Sequence, residues 1–307
     1  MSDFQSPREA PPRRLRDSYH LPAFLAIVFW AISYPLTRLC LEHFSPTNLA
    51  FVRFFFASIT LLCLAAPKGF RLPARRDWPM FIGSGASGFF IYMILFCTGC
   101  LTVTSATSAI VIAVSPVATA FLARIIFGEG LAWVKWVAIG IEFVGILLLT
   151  LMDGALSINL GVLYLAGAAI MLSTFNLLQR RLTRTYSALD TTLYSVLAGT
   201  LMLAIFLPGS IGEVRTASWR QLSYVILMGI VPSAFAFMLW SKALSLAEKT
   251  SAVSNYMFAT PFFAAILGFI IAGEVPDFAT IVGGGVIMLG LGLFTFGEQL
   301  LAKMGAR

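Results

Sequence analysis

Charge is absent from seven long stretches of the chain, residues 21–37, 78–123, 154–179, 191–212, 221–241, 250–273 and 278–297. A helix of about 20 apolar residues, rising about 1.5 Å at each, crosses the roughly 30 Å hydrocarbon layer of a membrane. The stretch from Trp78 to Ala123 holds 46 residues. As one helix it would run about 69 Å, so it must fold back once, and Thr98-Gly99-Cys100-Leu101-Thr102 is the natural hairpin. The hydrophobic pattern predicts ten helices, near 21–39, 48–66, 79–98, 104–123, 132–151, 159–178, 190–208, 221–241, 250–272 and 278–297. Proline interrupts several of them, at Pro35, Pro116, Pro232 and Pro261. A broken helix survives in lipid only where neighbours or a cavity satisfy the freed carbonyls. The prolines therefore favour a bundle with an interior.

Two of these prolines belong to a repeat. Pro116 and Pro261 each stand twelve residues ahead of a Gly-Glu pair, Gly128-Glu129 and Gly273-Glu274. The same offset of 145 relates Gly140 to Gly285, Gly145 to Gly290 and Thr150 to Thr295. Residues 115–150 align with 260–295 without a gap and with 12 identities in 36 positions. The chain reads as a duplicated membrane unit. Ten crossings divide into five and five, an odd number each, so the copy inserts upside down as it does in many transporters. The expected fold is all-α and integral to the membrane. A tail over 1–19 precedes a first five-helix repeat over 20–152, an inverted repeat over 158–298 and a tail over 299–307.

Basic residues orient this arrangement, because lysine and arginine stay on the cytoplasmic side. With both termini cytoplasmic, the inner face collects 17 of the 21 basic residues, among them Arg13, Lys68, Arg71, Arg180, Lys242 and Lys303. The outer loops keep Arg215 and Arg220, with Arg38 and Arg53 near outer helix ends. Equivalent loops carry opposite charge habits: the basic 67–78 segment corresponds to 209–220, which has lost most of its charge. Arg13-Arg14 ahead of an apolar segment suggests a twin-arginine signal. That segment is too long, lacks a small-residue cleavage site and precedes nine more spans, so it reads as a signal anchor.

Composition narrows the classes further. The 307 residues are 59% hydrophobic and 11% charged, with a mean hydropathy of +0.88, against about 25% charged residues in a soluble domain. The net charge of +7 follows from the positive-inside bias and calls for no nucleic-acid partner. Cys97 and Cys100 form a CxxC without histidine or a second pair, which reads as small packing residues rather than a metal or redox site. His20 and His43 fall at opposite membrane faces. No P-loop, nucleophile elbow or metal spacing is present, so neither enzyme chemistry nor a metal or other cofactor is expected.

Polar and aromatic stripes inside the spans remain. Trp30, Tyr34 and Thr37 share a face of helix 1, and Tyr92 and Phe96 a face of helix 3. Helix 6 aligns Ser173, Asn176 and Arg180, and helix 8 aligns Ser233, Phe237 and Trp240. Helix 4 opens with Thr104, Ser105, Thr107 and Ser108; helix 9 opens with Thr250, Ser251, Ser254, Asn255 and Tyr256. Polar groups facing hydrocarbon cost several kcal/mol unless satisfied, so these faces point at protein or water. The candidate substrate residues are Trp30, Tyr34, Tyr92, Phe96, Ser108, Asn176, Trp240, Asn255 and Tyr256. They would line an aromatic, amide-rich, nearly uncharged pocket suited to a small zwitterion or an apolar amine or acid, and poorly to a phosphorylated sugar. Pro116 and Pro261 are candidate hinges. Glu142, in the middle of helix 5, is a possible coupling carboxylate or a buried structural one. Arg53 is expected to snorkel outward, and Glu129 and Glu274 to end helices 4 and 9.

Ten spans, two repeats, the Leu49-Ala-Phe-Val-Arg53-Phe start of helix 2 and the Pro-(x)11-Gly-Glu segments of helices 4 and 9 resemble the EamA branch of the drug/metabolite transporter superfamily. The likeness covers residues 20–297 and is greatest to YddG-type exporters of aromatic and other amino acids. It implies a basket-like bundle around a cavity lined by helices 1, 3, 4, 6, 8 and 9, with helices 5 and 10 peripheral. The helix 7 start, Asp190-Thr-Thr-Leu-Tyr-Ser195, lacks an arginine matching Arg53. The expectation is a monomeric, multi-pass secondary transporter of a bacterial inner membrane. It would export small neutral metabolites, amino acids including aromatic ones, by alternating access. A multidrug or quaternary-cation exporter is the first alternative and a membrane-embedded enzyme the second.

Overall fold

The structure is a computed structural model that describes residues 18–127, 132–151, 159–247, 253 and 255–305. Gly128-Glu129, Lys249, Thr250, Ser251, Ser254, Arg307, the tail through residue 17 and the 152–158 connection lie outside the described residues, as do the side chains of Asn255 and Lys303. Among the described residues every regular element is helical and no strand occurs. Eight helical segments among the described residues are long and apolar enough to cross a membrane.

The helices are labelled here with their interruptions included. Helix α1 is His20–Leu41 and α2 is Pro46–Ala65. Helix α3 runs from Trp78–Gly85 through a π-helical turn, Ala86–Ile91, into Tyr92–Gly99. Helix α4 has two pieces, Ser105–Ile112 and Ser115–Phe127. Helix α5 is Trp133–Leu151 and α6 is Leu160–Leu182. Helix α7 is Ala188–Leu203, followed by a 3-10 turn, Ala204–Phe206, and by Leu207–Thr216. Helix α8 runs from Trp219–Met228 through a second π-helical turn, Gly229–Phe235, into Ala236–Leu246. Helix α9 is a 3-10 segment, Asn255–Ala259, followed by Thr260–Ala272, and α10 is Phe278–Gly305.

Lipid supplies no partners for free backbone groups, and the helix starts show how the chain manages without them. Thr104 accepts the Thr107 N–H at 3.2 Å, Asn159 accepts from Gly161 at 3.0 Å and Ser187 from Asp190 at 3.1 Å. Ser218 and Gln221 form a reciprocal capping box at the start of α8. Helix α9 ends at Gly273, whose φ of +65° lets its N–H reach the Phe269 carbonyl and the Glu274 N–H the Gly268 carbonyl.

Several boundaries differ from the apolar pattern. Helix α7 continues to Thr216 rather than stopping near 208, and α10 continues to Gly305 rather than 297. Both extensions carry polar residues and stay helical. The spans expected at 104–123 and 250–272 are each broken ahead of their proline. In both, the second piece opens with a hydroxyl residue and then proline, Ser115-Pro116 and Thr260-Pro261. Proline lacks an N–H and fits the first turn of a helix, where none is needed.

Helix α1 packs against α8 and α9, and α6 packs against α3 and α4. Helix α2 packs on α7 and α8, and α7 on α3. Helices α5 and α10 lie along each other. Glu142 sits beside Gly290 and Ile287 beside Gly145, so numbers rise on one helix as they fall on the other. The two are antiparallel.

Candidate functional site

A connected cluster of aromatic side chains lies in the bundle interior. Phe89 from α3 stands 4.9 Å from Phe237 and 5.1 Å from Phe175 between ring centroids, and Phe54 stands 5.0 Å from Phe89. Trp30 lies 5.0 Å from Phe237 and 4.9 Å from Trp240. The Trp240 indole N–H donates to the Asn176 side-chain carbonyl at 3.0 Å. Farther along α3, Tyr92 stacks on Phe96 at 5.7 Å, and Phe96 meets the edge of Tyr34 at 5.5 Å.

Among these rings is a cavity of about 20 Å³, room for about one water molecule. Trp30, Ser33, Tyr34, Arg53, Tyr92, Met93 and Ile112 line it from one half of the sequence; Leu172, Phe237, Met257 and Thr260 line it from the other. Both π-helical turns lead into this region: the first runs straight into Tyr92 and Met93, and the second ends two residues before Phe237. Turns of this kind re-aim side chains and recur at functional sites.

The cavity gathers some of the expected residues and not others. Trp30, Tyr34 and Tyr92 line it. Phe96 and Trp240 instead pack on the lining residues Tyr34 and Trp30, and Asn176 bonds Trp240. Ser108 donates back to the Thr104 carbonyl at 2.9 Å and lies 3.5 Å from the Cys100 thiol. Tyr256 turns to His20, 2.5 Å away, while its neighbour Met257 reaches the cavity. Thr260 occupies the position that echoes Ser115 at the offset of 145, a signal available in the sequence.

The largest departure concerns Arg53. It does not snorkel: the side chain is 1% exposed and lines the cavity. Helix α2 begins at Pro46, which places Arg53 about two turns inside it and on the face turned toward the bundle. Its Nε donates to Ser233 Oγ at 2.5 Å and its guanidinium lies 5.7 Å from the Phe54 ring centroid. Arg53 Nη1 has no hydrogen-bond partner, nor has Trp30 Nε1 or Thr260 Oγ1. The pocket is aromatic as expected, but it is not uncharged.

Glu142 is equally buried, at 1% exposed, yet it does not line the cavity. It lies in the α5–α10 seam with neither carboxyl oxygen hydrogen-bonded.

Polar contacts tie neighbouring helices together at the two ends of the bundle. At one end Arg38 Nε lies 3.4 Å from Glu274 Oε1, and Glu274 Oε2 accepts the Ser105 N–H at 2.8 Å. Arg38 also donates to the Val103 carbonyl at 2.8 Å. At the other end Arg180 donates to the Leu244 carbonyl. There the Tyr186 hydroxyl donates to Asp77 at 2.5 Å and accepts from the Ala74 N–H at 3.0 Å. The bond to Asp77 pushes the Tyr186 phenol above its ordinary pKa.

Two stretches of the chain, residues 18–151 and 159–296, each match the model of the EamA-like transporter family. The chain belongs to that family. This membership and the apolar helices make it a multi-pass membrane transporter of the drug/metabolite superfamily, and no support comes for a membrane-embedded enzyme. Several transporters are similar along nearly their whole length. A probable terminal-alkyne amino-acid exporter of Streptantibioticus cattleyicolor is 28% identical over 286 residues, covering 92% of this chain and 96% of that protein. An uncharacterized transporter of Bacillus subtilis, YdfC, is 28% identical over 273 residues and 89% of each chain. An S-adenosylmethionine uptake transporter of Rickettsia bellii is 29% identical over 242 residues, covering 78% of this chain and 80% of that one. A solved structure described only as a protein crystal structure superposes with a TM-score of 0.64 at 18% identity, covering 92% and 98% of the two chains. It supports the fold alone.

Proposed function

We propose that the chain is a secondary transporter that exports small metabolites without net charge, amino acids including aromatic ones, across a bacterial inner membrane by alternating access. The observation that carries this reading is the small central cavity, lined from both family-matching stretches and rimmed by aromatic rings. An amino-acid exporter and an S-adenosylmethionine uptake transporter among the similar proteins agree with a solute of amino-acid type. The cavity lining carries a cation and no carboxylate, which weighs against export of quaternary cations.

The architecture proposed with this function is ten crossings in two inverted halves, with both termini cytoplasmic. Contacts between the halves support it, since each keeps or exchanges its identity when the halves are swapped. The α1–α9 contact answers α6–α4, α2–α8 answers α7–α3, and α5–α10 answers itself. The seam repeats the pattern at atomic scale. A Cβ on Gly145 would meet Ile287 and the Gly283 carbonyl; one on Gly290 would meet Glu142 and the Ala138 carbonyl. Ile287 and Gly283 are the positions 145 beyond Glu142 and Ala138.

Counterflow in proteoliposomes tests the function. Vesicles preloaded with one unlabelled amino acid should accumulate the labelled form, and Glu142→Gln should leave that exchange intact. Loss of all uptake in Glu142→Gln would favour a proton- or cation-coupled mechanism. Absence of flux for every amino acid would remove the proposed substrate class.

A further inference from the structure

We infer that Arg53 is the anchor of the transported solute and that the group it holds is a carboxylate. The inference rests on the reading of the cavity as the transport site. An arginine cannot shed its charge at any physiological pH. A buried cation in a membrane bundle is tolerated when it is paired or when it serves the transported species. Arg53 has no carboxylate within ion-pair distance among the described residues. What it has is one hydroxyl, on Ser233, and the face of Phe54. Neither supplies negative charge.

Hydrogen-bond polarity says which partner is missing. Arg53 Nη1, Trp30 Nε1 and Thr260 Oγ1 are buried without partners, and all three residues line the same cavity. Guanidinium and indole nitrogens only donate. A solute group that fits them must accept, and an anion accepts most strongly. Arg53 belongs to the first half of the sequence and Thr260 to the second, so a group held by both would link the halves across the seam. The surrounding rings of Trp30, Tyr34, Tyr92 and Phe237 suit the rest of a zwitterion, apolar surface by contact and an ammonium group over an aromatic face. A cavity of about 20 Å³ is smaller than an amino acid, so the solute binds as the helices part and is enclosed as they return.

The test is binding to the purified full chain in lipid nanodiscs, followed by thermal stability, with 3-phenylpropionate, the similarly sized phenethylamine, and inorganic phosphate as probes. The carboxylate should raise the melting temperature of the wild type while the amine and phosphate do not. Arg53→Gln should weaken carboxylate affinity by about tenfold or more, and Arg53→Lys should restore part of it. Equal stabilisation by the amine, undiminished carboxylate binding in Arg53→Gln, or no carboxylate binding by the wild type would each overturn the inference. Stabilisation by phosphate alone would do so as well. Counterflow in the wild type separates this outcome from the function: amino-acid exchange that phenethylamine inhibits as well as phenylalanine would leave the transporter standing and remove the anchor.

Discussion

At the α5–α10 seam two backbones come close enough that a single methyl group decides whether they fit. A Cβ on Gly290 would lie 2.7 Å from Glu142 Cγ and 3.1 Å from the Ala138 carbonyl oxygen, whereas a Cβ on Gly292 would meet nothing within 4 Å. The side chain of Glu142 has some give, but the carbonyl moves only with its helix. Gly290→Ala should therefore destabilise the protein by about 1–3 kcal/mol, the usual cost of overpacking, and Gly292→Ala should be nearly neutral. Melting temperatures of the two variants in detergent check this, and equal values would remove the seam as a site of tight packing. The same scale explains why Arg53 escaped a reading of the sequence. One charge near a helix end is normally free to reach the interface. Which side of the helix faces the bundle depends on partners some 180 residues away, such as Ser233. Trp30, Tyr34 and Tyr92 were legible because bulky hydrogen-bonding groups are costly to leave in lipid.

Helices legible as apolar runs are not all continuous rods, and their breaks fall where movement would be needed. In α4 and α9 a proline follows the break, and the broken pieces contribute Ile112, Met257 and Thr260 to the cavity. Replacing Pro116 and Pro261 with alanine restores an N–H to each and lets the pieces fuse. We expect the double variant to be folded and at least as stable as the wild type but several-fold slower in counterflow. Unchanged turnover would deny the prolines a hinge role. Neither π-helical turn left a mark in the hydrophobic pattern, because an extra residue in a turn changes neither composition nor length enough to be seen. At one end of the bundle, Glu274 joins α1 to the first turn of α4, pairing with Arg38 and accepting the Ser105 N–H. A carboxylate at a helix N-terminus is favourable, while a pair with Arg38 about one third exposed is worth little more than about 1 kcal/mol. Glu274→Gln should speed hydrogen exchange at the Ser105 amide by roughly fivefold. Unaltered exchange would show that this end is closed by apolar packing instead.

For the molecule as a whole, inversion is the property on which the proposed alternating access depends, because two like halves facing opposite ways would offer two equivalent closures around one cavity. The duplication was legible because the stretches that pack against each other in α5 and α10 are the ones whose glycines are spaced alike. The cavity lining was only partly legible, since it is set by how the two halves lean together. Topology can be tested at positions whose exposure leaves reagents free to reach them. Leu72, between α2 and α3, is 76% exposed, and Trp219, at the start of α8, is 79% exposed. The connection holding Leu72 corresponds in the repeat to the segment just before Trp219. In an inverted pair these two must emerge on opposite sides of the membrane. With Cys63, the exposed native thiol, replaced by alanine, Leu72→Cys should react with a membrane-impermeant maleimide only in inside-out vesicles. Trp219→Cys should react only in right-side-out cells. Reaction of both from one side would mean that the halves run parallel. The paired glycines of the seam would then be a coincidence of packing, and the solute path between the halves would lose its symmetry.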